Sequence, residues 1–143
     1  MEQIIERTLV ILKPTSVGRR IVGRITAMIE DKGLKIIAMK MVWIDRDKAE
    51  RHYGEHRSRE FFEKLIDHIT SAPVVLMVIE GERAVRAVRQ LCGETDPIEA
   101  HAGSVRGTFG IGVTENLVHA SDSTESAKRE IEFFFNEEEI FEY

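Results

Sequence analysis

The run VVLMVI at residues 74–79 is apolar at every position, so a strand built from it presents two dry faces, and both must be covered. That one segment excludes a chain of solvated hairpins and demands layers. Its neighbours supply them. Residues 7–13, RTLVILK, read as a strand closed by Pro14, which has no N–H to donate. Across residues 18–32, Ile21, Ile25, Met28 and Ile29 recur at helical spacing, with Gly33 as the stop. Residues 34–44 read as a second strand whose Lys35 and Lys40 fall on opposite faces, as an edge position tolerates. Asp45 caps a short helix ending near Tyr53. Ser58 caps another that carries Phe61, Phe62, Leu65, Ile66 and Ile69. After the apolar strand come a helix over 82–91, a long Gly-rich stretch with no sustained period, a last short strand at 117–120 and a helix over 123–135.

The order β-α-β-α-β-α-β, with one helical region split and no linker or repeat, predicts one domain over residues 1–143. The fold class is α+β: a sandwich with helices on one face of the sheet. A second subunit is then expected on the other face, which makes the protein a homo-oligomer. A net charge of −5 argues against a general nucleic-acid partner, although cations can still gather around an anionic ligand. No apolar run is long enough to span a bilayer, and the one cysteine, Cys92, can form no internal disulfide and no zinc cluster. A soluble, cytoplasmic protein is expected.

In NLVHASDS, residues 116–123, His119 stands just before the last helix, where Asp122 and Glu125 form a variant capping box. Ala127, Ile131 and Phe134 line the inward stripe of that helix. Glu130 leans towards the same side, so its carboxylate needs a partner. His119 is a candidate: a carboxylate on one ring nitrogen fixes the tautomer and leaves the other as nucleophile or base. A packed histidine before an ordinary cap fits the same residues. Lys13, Arg89 and Arg106 each read as surface charges alone, and as a polyphosphate clamp together. The P-loop pattern is absent, and GTFGIG at 107–112 does not match the dinucleotide fingerprint. His52 and His56 have a spacing that allows a metal pair, but Gly54 lies between them and no third ligand is evident.

Taken in order, ERTLVILKPTSV, HYGEHRSREFF, SAPVVLMVIEG, LCGETDP, GSVRGTFGIGV and NLVHASDSTESAKREI resemble the nucleoside diphosphate kinase family over nearly the whole chain. The resemblance implies a ferredoxin-like α/β sandwich with a four-stranded antiparallel sheet. It also implies transfer of the terminal phosphate, mainly from ATP, to nucleoside diphosphates of any base. In that family pattern His119 is the residue phosphorylated, through Nδ1, with Glu130 and Ser121 orienting its ring. Lys13 and Asn116 would meet the sugar hydroxyls and the phosphate end; Arg89, Thr95 and Arg106 would hold the diphosphate. Tyr53, His56 and Leu65 would line the pocket, and Phe61 would stack on the base with Val113 opposite. Mg²⁺ would bridge phosphate oxygens, with no metal cage made by the protein. The implied assembly is a tetramer or hexamer, with no obligatory nucleic acid and no membrane. Ala120 departs from the family's usual glycine, which matters if that backbone needs a positive φ. The competing readings are a nucleotide-binding regulatory domain without transfer, and a phosphohistidine relay to another protein.

Overall fold

A computed structural model describes residues 2–54, 58, 60–112 and 117–143. Four strands, β1 (Ile5–Leu12), β2 (Lys35–Val42), β3 (Val74–Glu82) and β4 (Val118–Ala120), form a sheet in the order β2-β3-β1-β4, and every neighbouring pair is antiparallel. The all-apolar run lies in β3, a central strand, as its two dry faces require. The helices are α1 (Pro14–Gly18), α2 (Val22–Asp31), α3 (Arg46–His52), α4 (Phe62–Ile69), α5 (Ala84–Cys92), α6 (Val105–Phe109) and α7 (Thr124–Phe134). Architecture and pairing are those of a ferredoxin-like α+β sandwich.

One expectation fails in an instructive way. Leu9 and Ile11 of β1 pack with residues of α3, α4 and α7, whereas Val10 and Leu12, pointing the other way, pack with α2 and α5. The chain's own helices therefore pack on both faces, while Met39 and Met41 on the β2 edge stay exposed. The split helical region between β2 and β3 supplies this extra cover. Large side chains such as Leu9, Ile11, Leu76 and Met77 are wholly buried, each contributing about 1.5–3 kcal/mol of apolar burial.

Local chemistry moved several other boundaries. Pro14 starts α1 at its first helical position, a short helix the pattern does not predict, and the helix expected over 18–32 begins later, at Val22. The β2 edge carries an irregularity between Ile36 and Ala38, which cancels the parity count and puts Lys35 opposite Glu80 and Lys40 opposite Leu76, on one face. Asp45 caps α3 as expected, accepting from the Lys48 N–H at 2.8 Å. The next helix begins at Phe62, beyond the expected Ser58 cap, with Phe61 at its N-cap position. At α7 the cap is Ser123, which accepts from the Ser126 N–H at 3.0 Å, and not Asp122. The long Gly-rich stretch contains α6, capped by Ser104. Among the described residues no helix is long and apolar enough to cross a membrane.

Candidate active site

Antiparallel register builds the floor of the site. His119 is paired with Ile11, and the Lys13 N–H continues the β1–β4 ladder to the Leu117 carbonyl at 2.9 Å. Residues 11 and 13 share a face of β1, so Lys13 and His119 emerge on the same side of the sheet. The strand continues past Ala120: the Ser121 N–H donates to the Leu9 carbonyl, and the Leu9 N–H returns a bond to Ser121 Oγ at 3.2 Å. Ser121 is thereby fixed by backbone on the face that carries His119.

The inward lean of Glu130 on α7 is realised. Its carboxylate accepts from His119 Nε2, at 3.1 Å to Oε1 and 3.2 Å to Oε2, and from the Ser121 hydroxyl at 2.6 Å. Burial works to raise the Glu130 carboxyl. The hydrogen bonds from His119 and Ser121 work against it, and the group stays ionised below its ordinary value. An ionised acceptor on Nε2 places the ring proton there and the lone pair on Nδ1. His52, at the end of α3, packs edge-on against His119 with ring centroids 5.0 Å apart. Burial first, then the neighbouring His119, pushes His52 down to about 3, so it is a neutral ring.

Around this trio the expected cations converge. Lys13 is 4 % exposed, and its ammonium lies 5.7 Å from the centre of the buried Tyr53 ring. Burial, and then the charge of Arg106, lowers it from 10.5 to about 7. Arg89 and Arg106 are positioned by the outer edge of β4, whose carbonyls meet no further strand among the described residues. Arg89 donates to the Ala120 carbonyl at 3.1 Å; Arg106 donates to Val118 at 2.9 Å and to Gly93 at 2.7 Å. Gly93 ends α5 with φ 84°, a conformation that favours glycine. Burial lowers the Arg106 guanidinium, opposed by the Cys92 thiol and reinforced by Arg89.

Two adjoining cavities share this wall. One of about 240 Å³ is lined by Lys13, Tyr53, Leu65, Arg89, Thr95, Arg106 and His119 among others. The other, of about 480 Å³, reaches from His119 and Glu130 past Arg89 and Thr95 to Phe61, which is 43 % exposed at the mouth. Ten of the named candidates thus meet in one place: Lys13, Tyr53, Phe61, Leu65, Arg89, Thr95, Arg106, His119, Ser121 and Glu130. His56, Val113 and Asn116 lie outside the described residues. The sequence reading did not give His52 a place here; edge contact with His119 comes from α3 and β4 meeting across the sheet, which no local spacing announces. Ala120 sits in β4 opposite Val10, is buried, and is not among the residues of positive φ, so its methyl group simply packs.

A chain with these features has clear relatives. The family model described as nucleoside diphosphate kinase matches residues 6–140. A nucleoside diphosphate kinase of Pyrococcus horikoshii is 57% identical over 141 residues, covering 96% of this chain and 90% of the relative. One from Archaeoglobus fulgidus is 56% identical over 135 residues, covering 94% and 89%. Among solved structures, the Aquifex aeolicus nucleoside diphosphate kinase superposes with a TM-score of 0.94 at 41% identity, covering 96% of this chain and 100% of that one. The Halobacterium salinarum nucleoside diphosphate kinase, solved in complex with CDP, gives 0.94 at 42% identity, covering 98% and 93%.

Proposed function

The chain belongs to the nucleoside diphosphate kinase family and is a phosphotransferase acting on nucleotides, and on that premise we propose that it works by ping-pong exchange through a phosphorylated His119. The observation that carries this reading is the bond from His119 Nε2 to Glu130, itself held by Ser121. It leaves Nδ1 with a lone pair. That nitrogen attacks the terminal phosphorus of a nucleoside triphosphate, chiefly ATP; the N–P bond forms as the P–O bond to the leaving diphosphate breaks. A second nucleoside diphosphate then takes the phosphoryl group back in the reverse displacement.

Lys13, Arg89, Arg106 and Thr95 meet the phosphate chain, with Lys13 nearest the group transferred. The family pattern assigns Asn116, with Lys13, to the sugar hydroxyls and phosphate end, and His56 to the nucleotide beside Tyr53 and Leu65, which line the pocket. Phe61 stacks on the base, with Val113 opposite. A stack at an open mouth reads the flat face of any base, which accounts for broad specificity. The donors fit Mg²⁺ arriving on the nucleotide: the pocket offers cations and a hydroxyl for phosphate oxygens, and the metal-ligating group beside it, His52, His119 and Glu130, is not the oxygen set that Mg²⁺ prefers. Bound there, the ion supplies charge neutralisation on the phosphates.

The protein is proposed as a cytoplasmic, single-domain homo-oligomer, tetramer or hexamer, with no nucleic-acid or membrane partner required. The edge strand β2 supports association: Met39, Met41 and, just beyond it, Trp43 are exposed. The chemistry is tested by incubating the protein with γ-labelled ATP and Mg²⁺. An acid-labile label, absent from His119→Ala and discharged by any added nucleoside diphosphate, is expected. A folded protein that takes no label, or passes it only to another protein, overturns the proposal.

A further inference from the structure

We infer that His52, His119 and Glu130 form a site for a borderline transition-metal dication, of which Zn²⁺ is the type, and that metal there silences His119. Each of the three offers one nitrogen or oxygen donor, and these atoms lie within 4.8 Å of one another. They come from α3, β4 and α7, so the fold and not a local motif assembles them. His52 Nε2 is buried with no hydrogen-bond partner among the described residues. Phosphoryl transfer gives that atom no task, yet a buried ring nitrogen calls for a partner.

Two imidazoles and a carboxylate are a zinc-type donor set, whereas Mg²⁺ prefers six oxygens and keeps much of its water. His119 Nε2 and the Glu130 oxygens, at 3.1 and 3.2 Å, are already close to the roughly 3.3 Å that separates ligands in a tetrahedral site with bonds of about 2.0 Å. His52 has to close the remaining distance. A cavity of about 200 Å³, lined by Arg51, His52, Arg129, Glu130 and Phe133, gives its ring room. The two guanidiniums there oppose a bare dication and favour an anion as fourth ligand. Coordination through His119 Nε2 requires the lone pair at that nitrogen, so the ring proton moves to Nδ1 and the attacking lone pair is lost. This silencing rests on the phosphohistidine reading; the metal site does not.

The test is titration of the nucleotide-free, full-length protein with Co²⁺, read by visible absorption. A saturable four-coordinate spectrum is expected, displaced by Zn²⁺ but not by Mg²⁺ and retained in Cys92→Ser. In His52→Gln the affinity should fall more than about tenfold, with circular dichroism confirming the fold. As a measurement independent of any variant, Zn²⁺ should protect His119 of the unsubstituted protein from diethyl pyrocarbonate, read by peptide mass. Absence of a saturable spectrum, a spectrum indifferent to His52→Gln in folded protein, or unprotected His119 overturns the site. A normal Co²⁺ spectrum on a protein that never takes phosphate from ATP leaves the site standing and rejects the phosphohistidine instead.

Discussion

Replacing one oxygen of Glu130 by an amide nitrogen changes little in volume and much in proton placement. Glu130 Oε1 accepts from both His119 Nε2 and the Ser121 hydroxyl, and Glu130→Gln presents an N–H₂ to one of them. If the amide faces the ring, Nε2 must become the acceptor and the proton moves to Nδ1. We expect single-turnover phosphorylation of His119 to fall roughly 10²–10⁴-fold, the usual weight of a positioned proton-transfer group; an unchanged rate would detach Glu130 from the tautomer. Lys13 gives a second prediction, with a definite sign. Its folded value, about 7, lies below the ordinary 10.5, so at pH 8 most of the nucleotide-free protein carries a neutral amine there. Without ligand, the unfolded chain binds the extra proton between those values, and Lys13 lowers stability as pH falls from 10.5 to 7. A bound polyphosphate restores the charge. Diphosphate binding at pH 8 should therefore take up a proton, and affinity should weaken as pH rises above 7. Calorimetry in buffers of different ionisation enthalpy measures the uptake, which Lys13→Met should remove; buffer-independent heats would show Lys13 already charged.

The phosphate-binding arginines depend on elements too short or too irregular to declare themselves. Arg106 rides on α6, five residues long, and its direction is set by carbonyls of β4 and Gly93. Ser104 Oγ accepts from the Gly107 N–H at 3.0 Å and donates to the His101 carbonyl at 2.7 Å, pinning the start of that helix. Removing the cap in Ser104→Ala should cost about 1 kcal/mol, a factor of about five in an equilibrium. Steady-state kinetics should show this mainly as a several-fold higher KM for the diphosphate; a change confined to kcat would contradict it. The same shortness explains why α6 was not legible: five residues show no period. By contrast β1, β3 and the inward stripe of α7 were plain in the sequence because period 2, a continuous apolar run and period 3.6 are carried by many residues at once. Glu130 could be assigned a buried role from that stripe alone. The faces of Lys35 and Lys40 could not, since one irregularity in β2 reverses every later parity count. Nor could His52, whose partner lies 67 residues away in sequence.

Helices of one chain pack on both faces of the sheet, so association has to be sought at the edge they leave bare. On β2, Met39, Met41 and the adjacent Trp43 are 49, 60 and 65 % exposed, although the register sets Met39 beside the fully buried Met77. Trp43 is held in place by its Nε1–H, which donates to the Thr70 carbonyl at 2.8 Å, so the indole is presented rather than loose. An outer strand that carries an exposed apolar row is a template for a second copy. Met41→Lys puts a charge in the middle of that row, which a solvated edge accepts and a buried interface does not. We expect light scattering to show the unsubstituted protein as a tetramer or hexamer and the variant as smaller particles. Thermal unfolding should drop and lose the concentration dependence expected of the assembled parent, because assembly stabilises by mass action. Every described side chain of the candidate site belongs to one chain, so the smaller particle should still take phosphate from ATP. If Met41→Lys assembles like the parent, β2 is not the contact.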